Sequence, residues 1–279
     1  MSEGLSIQDV SRQCGINPVT LRAWERRYGL VRPSRTPRGH RRYTEQDVAR
    51  IREILHWVDR GVPLRQVKAW LEGNRMESAE EGEHFWSQAR DEAFQALDTL
   101  NTRRLEQLLN RLLADYSHAR VIRSFTDPLR ERLAASHVFS AHRALLDAFL
   151  TEKWGGRSLS LAPRRGQFGW LLVPVGDMLP TLELAMVLNQ PVWCLHRAPD
   201  FTTLRALVER RQPCGVLWVL DRWPSTSEQQ RLWPQTAPAW PALCWGMRAG
   251  EIPSAVSWLG DQRQTLIDSL SHWQVPGER

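Results

Sequence analysis

Apolar residues in the first half of the chain recur every three or four positions, which is the spacing of amphipathic helices. The earliest segment of this kind is Ile7–Cys14. Ser6 precedes it as an N-cap, and Asp9 follows three residues later, where it completes a capping box. Gly15 ends this helix, and Pro18 opens the next one, because the first helical turn tolerates a missing N–H group. Two helices joined by a short turn with glycine predict a helix-turn-helix.

The second helix has two chemically different faces when its residues are placed about 100° apart. Leu21, Trp24 and Tyr28 share one side, which is the predicted buried face. The opposite side carries arginine at positions i and i+4, a pattern that suits insertion into the major groove of DNA. Glu25 lies beside the buried face and is expected to orient an arginine. The candidate DNA contacts of this helix are Val19, Thr20, Arg22, Ala23, Arg26 and Arg27.

A short two-stranded wing is expected after the second helix. Pro33 and Pro37 exclude a helix there, and Arg38-Gly39 is a plausible tight turn. Tyr43 is expected to pack its ring beneath the wing. The wing and its flank supply six further candidate DNA contacts, namely Arg35, Arg38, His40, Arg41, Arg42 and Tyr43.

Two more helices complete the first predicted domain, residues 1–73. Thr44 and Asp47 have the spacing of a capping box at the start of a helix that runs to about Arg60. Gly61 stops that helix, and a further helix is expected over Leu64–Glu72. Their apolar stripes consist of Ile51, Ile54, Leu55 and Val58 on the third helix and Val67, Trp70 and Leu71 on the fourth.

The excess positive charge of the chain lies entirely in this first domain. The whole chain has a formal net charge of +6. Residues 1–73 contain 14 Lys and Arg against 8 Asp and Glu, whereas residues 74–279 contain 23 of each sign. Eight arginines and one acid, Glu25, fall between Arg22 and Arg42. Arginine concentrated on a small folded unit predicts a partner that carries phosphate groups.

A helical bundle is predicted next. Residues 74–83 are polar and acidic and have the composition of a linker, without the heptads of a long dimerisation helix. Residues 84–154 carry four apolar stripes at helical spacing. We expect the third helix to be interrupted near Asp127-Pro128. The four predicted helices are His84–Leu100, Thr102–Tyr116, His118–Ala135 and Ser140–Trp154.

The hydrophobic pattern changes at residue 155. Short apolar runs then alternate with helical segments, an order typical of parallel βαβ units. Residues 252–273 are expected to add one or two helices. The sequence therefore predicts a mainly α protein with a C-terminal α/β domain over residues 155–279. The predicted strands lie within 168–176, 191–196, 214–221 and 242–247, and the helices between them at Leu179–Leu188, Asp200–Arg211 and Glu228–Trp233.

Several classes of protein are excluded by what the sequence lacks. The four cysteines form no CxxC pair, which argues against a zinc ribbon and a disulfide framework. The N-terminus has no apolar signal segment, and no run approaches about 18 apolar residues, so we expect a cytoplasmic protein without a membrane span. There is no P-loop, GxGxxG motif or catalytic triad, and neither an enzyme nor a metal site is predicted.

The segment NPVTLRAWERRYGLVRPSRTPRGHRRYTEQDVARI resembles the DNA-binding domain of the MerR family. Its TLRAWERRYGL and GHRRY motifs are most similar to the branch that holds the MlrA-type, BluR-type and cobalamin-dependent CarH/LitR-type regulators. The resemblance covers residues 5–72. It implies a winged helix-turn-helix that binds double-stranded DNA as a homodimer, at a palindromic promoter operator whose spacer it distorts.

The bundle and sheet resemble the cobalamin-binding half of the CarH/LitR regulators, a Rossmann-like domain. In that family a histidine in an acid-x-His-x-x-Gly motif ligates cobalt, and the bundle supplies a tryptophan and a Glu-His pair. The corresponding positions here are Asp177, Leu179 and Leu182 after the first strand, and Leu133 and Arg143-Ala144 in the bundle. The resemblance therefore implies a degenerate site without a cofactor.

The sequence favours a sequence-specific transcription regulator whose C-terminal half mediates dimerisation or receives a protein or small-molecule effector. A cobalamin-dependent light-sensing repressor and a protein-interaction adaptor are the alternatives. Trp218, Trp223, Trp233 and Trp240 belong either to the core or to a ligand pocket. Cys194, Cys214 and Cys244 are expected to be small buried hydrophobes, with a redox or metal sensor as the other interpretation. His137 and His142 are interpreted as ordinary surface or core histidines.

Overall fold

The computed structural model describes residues 4–14, 16, 18–37, 39–59, 62, 64–71, 79–164, 167–188 and 190–271. The chain divides into two compact units, residues 1–146 and 147–279. The first unit contains a winged helix-turn-helix and the helices of the bundle up to residue 146, and the second contains the rest of the last bundle helix and a parallel sheet with its helices. No helix within the described ranges is long and apolar enough to cross a membrane.

The winged helix-turn-helix contains four helices and two short strands among its described residues. Its first and third helices begin at the predicted residues because the chain provides local caps there. Ser6 and Thr44 each accept a backbone hydrogen bond from the aspartate three residues on, at 3.3 and 3.2 Å, and each donates its own N–H to that carboxylate. The elements are α1 (Ile7–Cys14), α2 (Pro18–Ala23), a π-helical turn (Trp24–Tyr28), β1 (Ser34–Arg35), β2 (Arg41–Arg42), α3 (Glu45–Asp59) and α4 (Leu64–Leu71).

The core of this domain is formed by the faces that the apolar spacing predicts. Leu21 and Trp24 of the second helix are 1% and 2% exposed, and Ile51 and Ile54 of α3 are fully buried. They pack in one cluster with Val67 of α4. Burial of such side chains contributes roughly 1.5–3 kcal/mol each, so this cluster holds the arginine-bearing helix in place. Gly61 and Asn17, for which the sequence predicts a turn and a cap, lie outside the described residues.

The bundle begins earlier than predicted. The helix expected from His84 starts at Ala79, within the stretch predicted to be a linker. The last bundle helix runs through Gly155 and Gly156 to Ser158, so the change of hydrophobic pattern at 155 does not end it. The bundle elements are α5 (Ala79–Asp98), α6 (Thr102–Asp115), α7 (His118–Val121), a π-helical turn (Ile122–Thr126), α8 (Asp127–Ala134), a 3₁₀ turn (His137–Phe139) and α9 (Ser140–Ser158).

The expected interruption at Asp127-Pro128 is replaced by a wider turn. Pro128 lacks an N–H group and would clash with the carbonyl four residues earlier in a regular helix. The π-helical turn directly before α8 relieves this conflict. The Ser124 carbonyl oxygen, which Pro128 cannot bond, accepts a hydrogen bond from the Arg90 guanidinium at 2.8 Å. The helix therefore continues past the proline instead of breaking.

The second unit contains a parallel sheet of five strands, β3 (Trp170–Val175), β4 (Val192–Cys194), β5 (Gly215–Leu220), β6 (Ala242–Gly246) and β7 (Ser257–Trp258), in the order β4-β3-β5-β6-β7. This is the doubly wound order of flavodoxin-like folds. A short fifth strand, Ser257–Trp258, lies in a region where only helices were predicted, because two residues are too few to show a strand period. The helices of this unit are α10 (Leu179–Val187), α11 (Phe201–Arg211), α12 (Thr226–Leu232) and α13 (Arg263–Ser271).

Candidate nucleic-acid interface

The second helix presents its arginines to solvent. Arg22, Arg26 and Arg27 are exposed, while Thr20 and Ala23 are partly exposed. The side-chain environment of Val19 lies outside the described residues. Since Leu21 and Trp24 anchor the opposite face, the predicted division between an apolar and a cationic side is present in the structure.

The π-helical turn changes the direction of the last residues of this helix. Its i→i+5 hydrogen bonds make each residue rotate less than in an α-helix. Tyr28, predicted to share the buried face, is instead only half-buried. Gly29 ends the turn with a φ of 60°, a left-handed conformation that glycine adopts without strain, and its N–H donates to the Glu25 carbonyl at 3.2 Å.

The wing is a two-stranded antiparallel hairpin, as predicted. Arg35 pairs with Arg41 in its register. The Gly39 N–H donates to the Thr36 carbonyl at 2.8 Å, and Gly39 has a φ of 81°. His40 is exposed at the end of the turn. Arg38 at the tip lies outside the described residues, so its role as a DNA contact stays a prediction.

Glu25 ties the wing to the recognition helix, here defined as residues 18–28. Its carboxylate accepts hydrogen bonds from the Arg41 Nε atom at 2.5 Å and from the Arg35 guanidinium at 3.2 Å. The Arg41 side chain is 24% exposed and that of Arg35 is 52% exposed. One carboxylate thus holds two cations from both strands of the wing against the helix, which agrees with the expectation that Glu25 orients an arginine.

We expect Glu25→Gln to lower the preference of the protein for its own operator. The amide cannot hold two guanidinium groups as the carboxylate does, so the wing loses its fixed position. Affinity for the operator should fall about fivefold, or about 1 kcal/mol, while affinity for unrelated DNA should not fall, because one negative charge is removed. Glu53→Gln, an exposed acid on α3, is the matched control. Equal operator affinities for the two variants would contradict the positioning role.

A cationic cleft lies between the wing and the helices. Its volume is about 310 Å³, and its lining includes Arg22 from the helix and Arg41 and Arg42 from the wing. Arg42 also donates to the Gly4 carbonyl oxygen at 3.1 Å, which joins the wing to the start of the domain. The cleft brings together residues that the sequence analysis assigned to separate elements. Its lining is Ser6, Ile7, Gln8, Arg22, Gly39, His40, Arg41 and Arg42.

Tyr43 is a correction to the predicted set of DNA contacts. The residue is 1% exposed and packs in the core below the wing. Its backbone forms a bridge with Leu5, with N···O distances of 2.9 and 2.8 Å. A ring without exposed surface cannot touch DNA directly, so Tyr43 supports the wing. The sequence expectation that the ring lies beneath the wing agrees with this placement.

Tyr28 was missed as an interacting residue. Its hydroxyl donates to the Ala114 carbonyl oxygen at 2.9 Å and to the Asp115 carboxylate at 3.1 Å, both in the last turn of α6. The predicted helical face placed Tyr28 in the core, and nothing in the local pattern signals a contact 86 residues away. The contact joins the recognition helix to the bundle within the first unit.

The positions that would hold cobalamin do not fit a corrin. Leu179 and Leu182 are fully buried apolar side chains of α10, and neither has an atom that can ligate cobalt. Asp177 uses its carboxylate to accept the Leu179 N–H at 2.9 Å. In the bundle, Leu133 is 1% exposed, and Arg143 donates to the Arg130 carbonyl oxygen at 3.3 Å. Each position serves the packing or hydrogen bonding of its own unit.

Burial accounts for the environments of the candidate tryptophans and of two candidate cysteines. Trp218 and Trp233 are buried side by side, with ring centroids 5.6 Å apart, whereas Trp223 and Trp240 are partly buried at the edge of the same cluster. Burial raises the pKa of Cys194 and of Cys244 to about 12, so both thiols stay protonated at neutral pH. Among the described residues, no group of three or more His, Cys, Asp or Glu side chains could hold a metal ion.

Comparison with known proteins agrees with this arrangement. Residues 5–74 match the model of the MerR HTH family regulatory proteins. The chain is 36% identical over 146 residues to the HTH-type transcriptional regulator MlrA of Escherichia coli, an alignment covering 52% of this chain and 58% of MlrA. It is 30% identical over 242 residues to the HTH-type transcriptional repressor CarA of Myxococcus xanthus, covering 78% of this chain and 81% of CarA.

A third relative, the HTH-type transcriptional repressor CarH of Myxococcus xanthus, is 42% identical over 57 residues, which is 20% of this chain. The chain thus matches little more than half the length of MlrA but most of CarA. The match to CarA extends far beyond the DNA-binding domain into the bundle and sheet. With the winged helix-turn-helix at its N-terminus, this chain belongs to the MerR family of helix-turn-helix regulatory proteins.

Proposed function

We propose that the protein is a sequence-specific DNA-binding transcription regulator that acts at promoters. The cationic cleft between the recognition helix and the wing is the observation that carries this proposal. An α-helix fits the major groove, and arginine is the side chain that most often reads guanine there. Arg22 and Arg26 lie on the exposed face of that helix and are the proposed base contacts. Thr20, Ala23 and Arg27 flank them.

The wing supplies the proposed phosphate contacts. Backbone contacts fix the register of a protein on the duplex without reading its sequence. Arg35, His40 and Arg42 are the exposed or half-exposed wing residues available for this role. Glu25 keeps Arg35 and Arg41 close to the recognition helix. The wing and the recognition helix would therefore contact DNA as one surface.

We further propose that the protein acts as a homodimer in the cytoplasm, on a palindromic operator. A two-fold symmetric protein places two recognition helices one DNA turn or a multiple of it apart. The second unit and the bundle are the proposed sites of dimerisation or of effector input. They act without cobalamin, since the positions that would hold it are filled by buried leucines.

Genome-wide mapping of bound sites, followed by binding of the purified chain to the recovered sequences, tests the proposal. We expect a recurrent palindromic sequence upstream of promoters, bound more than about 1,000-fold more tightly than unrelated DNA at physiological salt. Binding of all duplexes with equal affinity, or of none, would refute a sequence-specific regulator. Capture of a protein partner by the C-terminal half without any DNA binding would favour the adaptor.

Removing wing arginines should weaken binding to all DNA sequences alike. We expect Arg38→Ala combined with Arg42→Ala to flatten the plot of log K against log salt by about 0.9 for each phosphate group that the wing no longer neutralises. Binding isotherms at several salt concentrations measure this slope, with Arg103→Ala combined with Arg211→Ala, two exposed positions outside the DNA-binding domain, as the control for the loss of two charges. An unaltered slope would place the wing away from the DNA.

A further inference from the structure

The side chain of Tyr28 joins the DNA-binding domain to the end of α6. Its ring packs against the core of that domain, and its hydroxyl donates to the Ala114 carbonyl oxygen at 2.9 Å and to the Asp115 carboxylate at 3.1 Å. The last carbonyl groups of a helix lack partners within it, so this donor satisfies an acceptor at the end of α6. Both partners belong to the same compact unit, residues 1–146. One side chain therefore contacts the recognition helix, the core beneath it and the bundle.

The contact leaves the cationic side of the recognition helix free. Arg22, Arg26 and Arg27 are exposed, and Arg22 also lines the cationic cleft. Burial, and after it the Asp115 carboxylate, raise the pKa of Tyr28, so the hydroxyl keeps its proton at neutral pH and donates. The DNA-binding domain can therefore contact DNA while Tyr28 stays bonded to α6.

The position of this domain on the bundle bears on the second half of the operator. Residues 74–83 lack the heptads of a dimerisation helix, and the proposed sites of dimerisation are the bundle and the second unit. The two recognition helices of a dimer would then be held apart through the bundles that carry them. Each base pair added between two half-sites moves one of them by about 3.4 Å and turns it by roughly a tenth of a turn. A domain fixed on its bundle fits one spacing only.

We propose that Tyr28 is a positioning residue that sets the spacing between the two half-sites of the operator. The inference rests on the proposed function as a homodimeric regulator and adds what determines the geometry of its operator. Tyr28 contacts no base in this role and acts through the helix that carries the arginines. A duplex with the wrong spacing is bound only when the contact with α6 breaks, so its binding is weaker by the free energy of that contact.

Binding of the full chain to three kinds of duplex tests this role. One carries the operator with its own spacer, the second carries a spacer longer or shorter by one base pair, and the third carries a single half-site beside scrambled sequence. We expect the wild type to bind the altered spacers more weakly than the operator. Tyr28→Phe should reduce this difference by about twofold to tenfold, the value of one hydrogen bond, and leave affinity for the single half-site unchanged.

A second pair of variants separates the contact from a general effect of charge. Asp115→Ala removes one of the two acceptors and should relax the spacing in the same direction as Tyr28→Phe. Because both substitutions act on one contact, the double variant should match Tyr28→Phe alone. Asp98→Ala is the matched control, since Asp98 is an exposed aspartate at the end of α5 and its loss removes the same charge. This control should discriminate between spacers as the wild type does.

Three results would overturn the positioning role and leave the proposed function intact. The first is a Tyr28→Phe chain that discriminates between spacers as sharply as the wild type does. The second is an equal loss of affinity for the operator and for the single half-site, which would indicate damage to the recognition helix itself. The third is a wild type that binds its operator specifically but with any spacer. A wild type that does not prefer its operator to unrelated DNA would overturn the proposed function as well.

Discussion

Arg22→Ala is expected to cost about 1–3 kcal/mol of operator binding, a loss of roughly fivefold to 150-fold in affinity. Arg22 is exposed on the recognition helix and lines the cleft that it shares with the wing. A guanidinium at this place can bond two acceptors of one guanine, and alanine leaves those acceptors without a partner. The neighbouring Leu21 is buried, so the helix keeps its position when Arg22 is truncated.

Titration of labelled operator with the full-length variant measures this loss. Arg103→Ala removes the same charge from an exposed position of α6 and should change affinity far less. Both substitutions should change the free energy of unfolding by less than about 0.5 kcal/mol relative to the wild type, because exposed side chains contribute little to folding. If Arg22→Ala binds its operator as tightly as Arg103→Ala does, the recognition role does not belong to this face of the helix.

Leu179→His is expected to destabilise the second unit by about 3 kcal/mol or more. This substitution places a histidine at the position where the resemblance to cobalamin-dependent regulators puts the cobalt ligand. Leu179 is fully buried at the start of α10. The imidazole would lose its hydrogen bonds to water inside an apolar core, and the packing of the leucine would be lost as well. Restoring the ligand therefore damages the fold.

Urea denaturation followed by tryptophan fluorescence measures this effect. Leu179→Met substitutes another apolar side chain of similar volume and should lower the free energy of unfolding by less than about 1.5 kcal/mol. Comparing the two variants therefore separates the effect of a changed side-chain shape from the effect of burying a polar group. Added cobalamin should leave no corrin absorption band on the wild type or on Leu179→His after dialysis. A retained corrin band, or a Leu179→His variant as stable as Leu179→Met, would contradict the interpretation of this site as part of the core.

Local sequence determined the elements of the DNA-binding domain. Ser6 with Asp9, and Thr44 with Asp47, each bond within three residues, so the start of a helix depends only on neighbours in the chain. The spacing of Leu21 and Trp24 set which side of the recognition helix is buried and which carries Arg22 and Arg26. Apolar runs likewise located four of the five strands of the second unit, and the two central ones, β3 and β5, are buried along all six of their residues.

The tertiary structure decided what these elements do to one another. Glu25 meets Arg35 and Arg41 only after the wing has folded back onto the helix. Tyr43 was predicted both to pack beneath the wing and to contact DNA, and its burial in the core agrees only with the first expectation. The helix α5 starts at Ala79, within an acidic stretch whose composition predicted a linker.

The π-helical turn and the Tyr28 contact show the physical reason for this division. Predicting a helix face from the sequence assumes that every residue adds the same rotation, about 100°. A single turn with a different hydrogen-bond spacing therefore redirects every later side chain. Tyr28 packs against the predicted core but stays partly exposed, and α6 supplies acceptors for its hydroxyl from 86 residues away. Interactions within one turn of helix are encoded by adjacent residues, whereas those between distant segments depend on how complete faces pack.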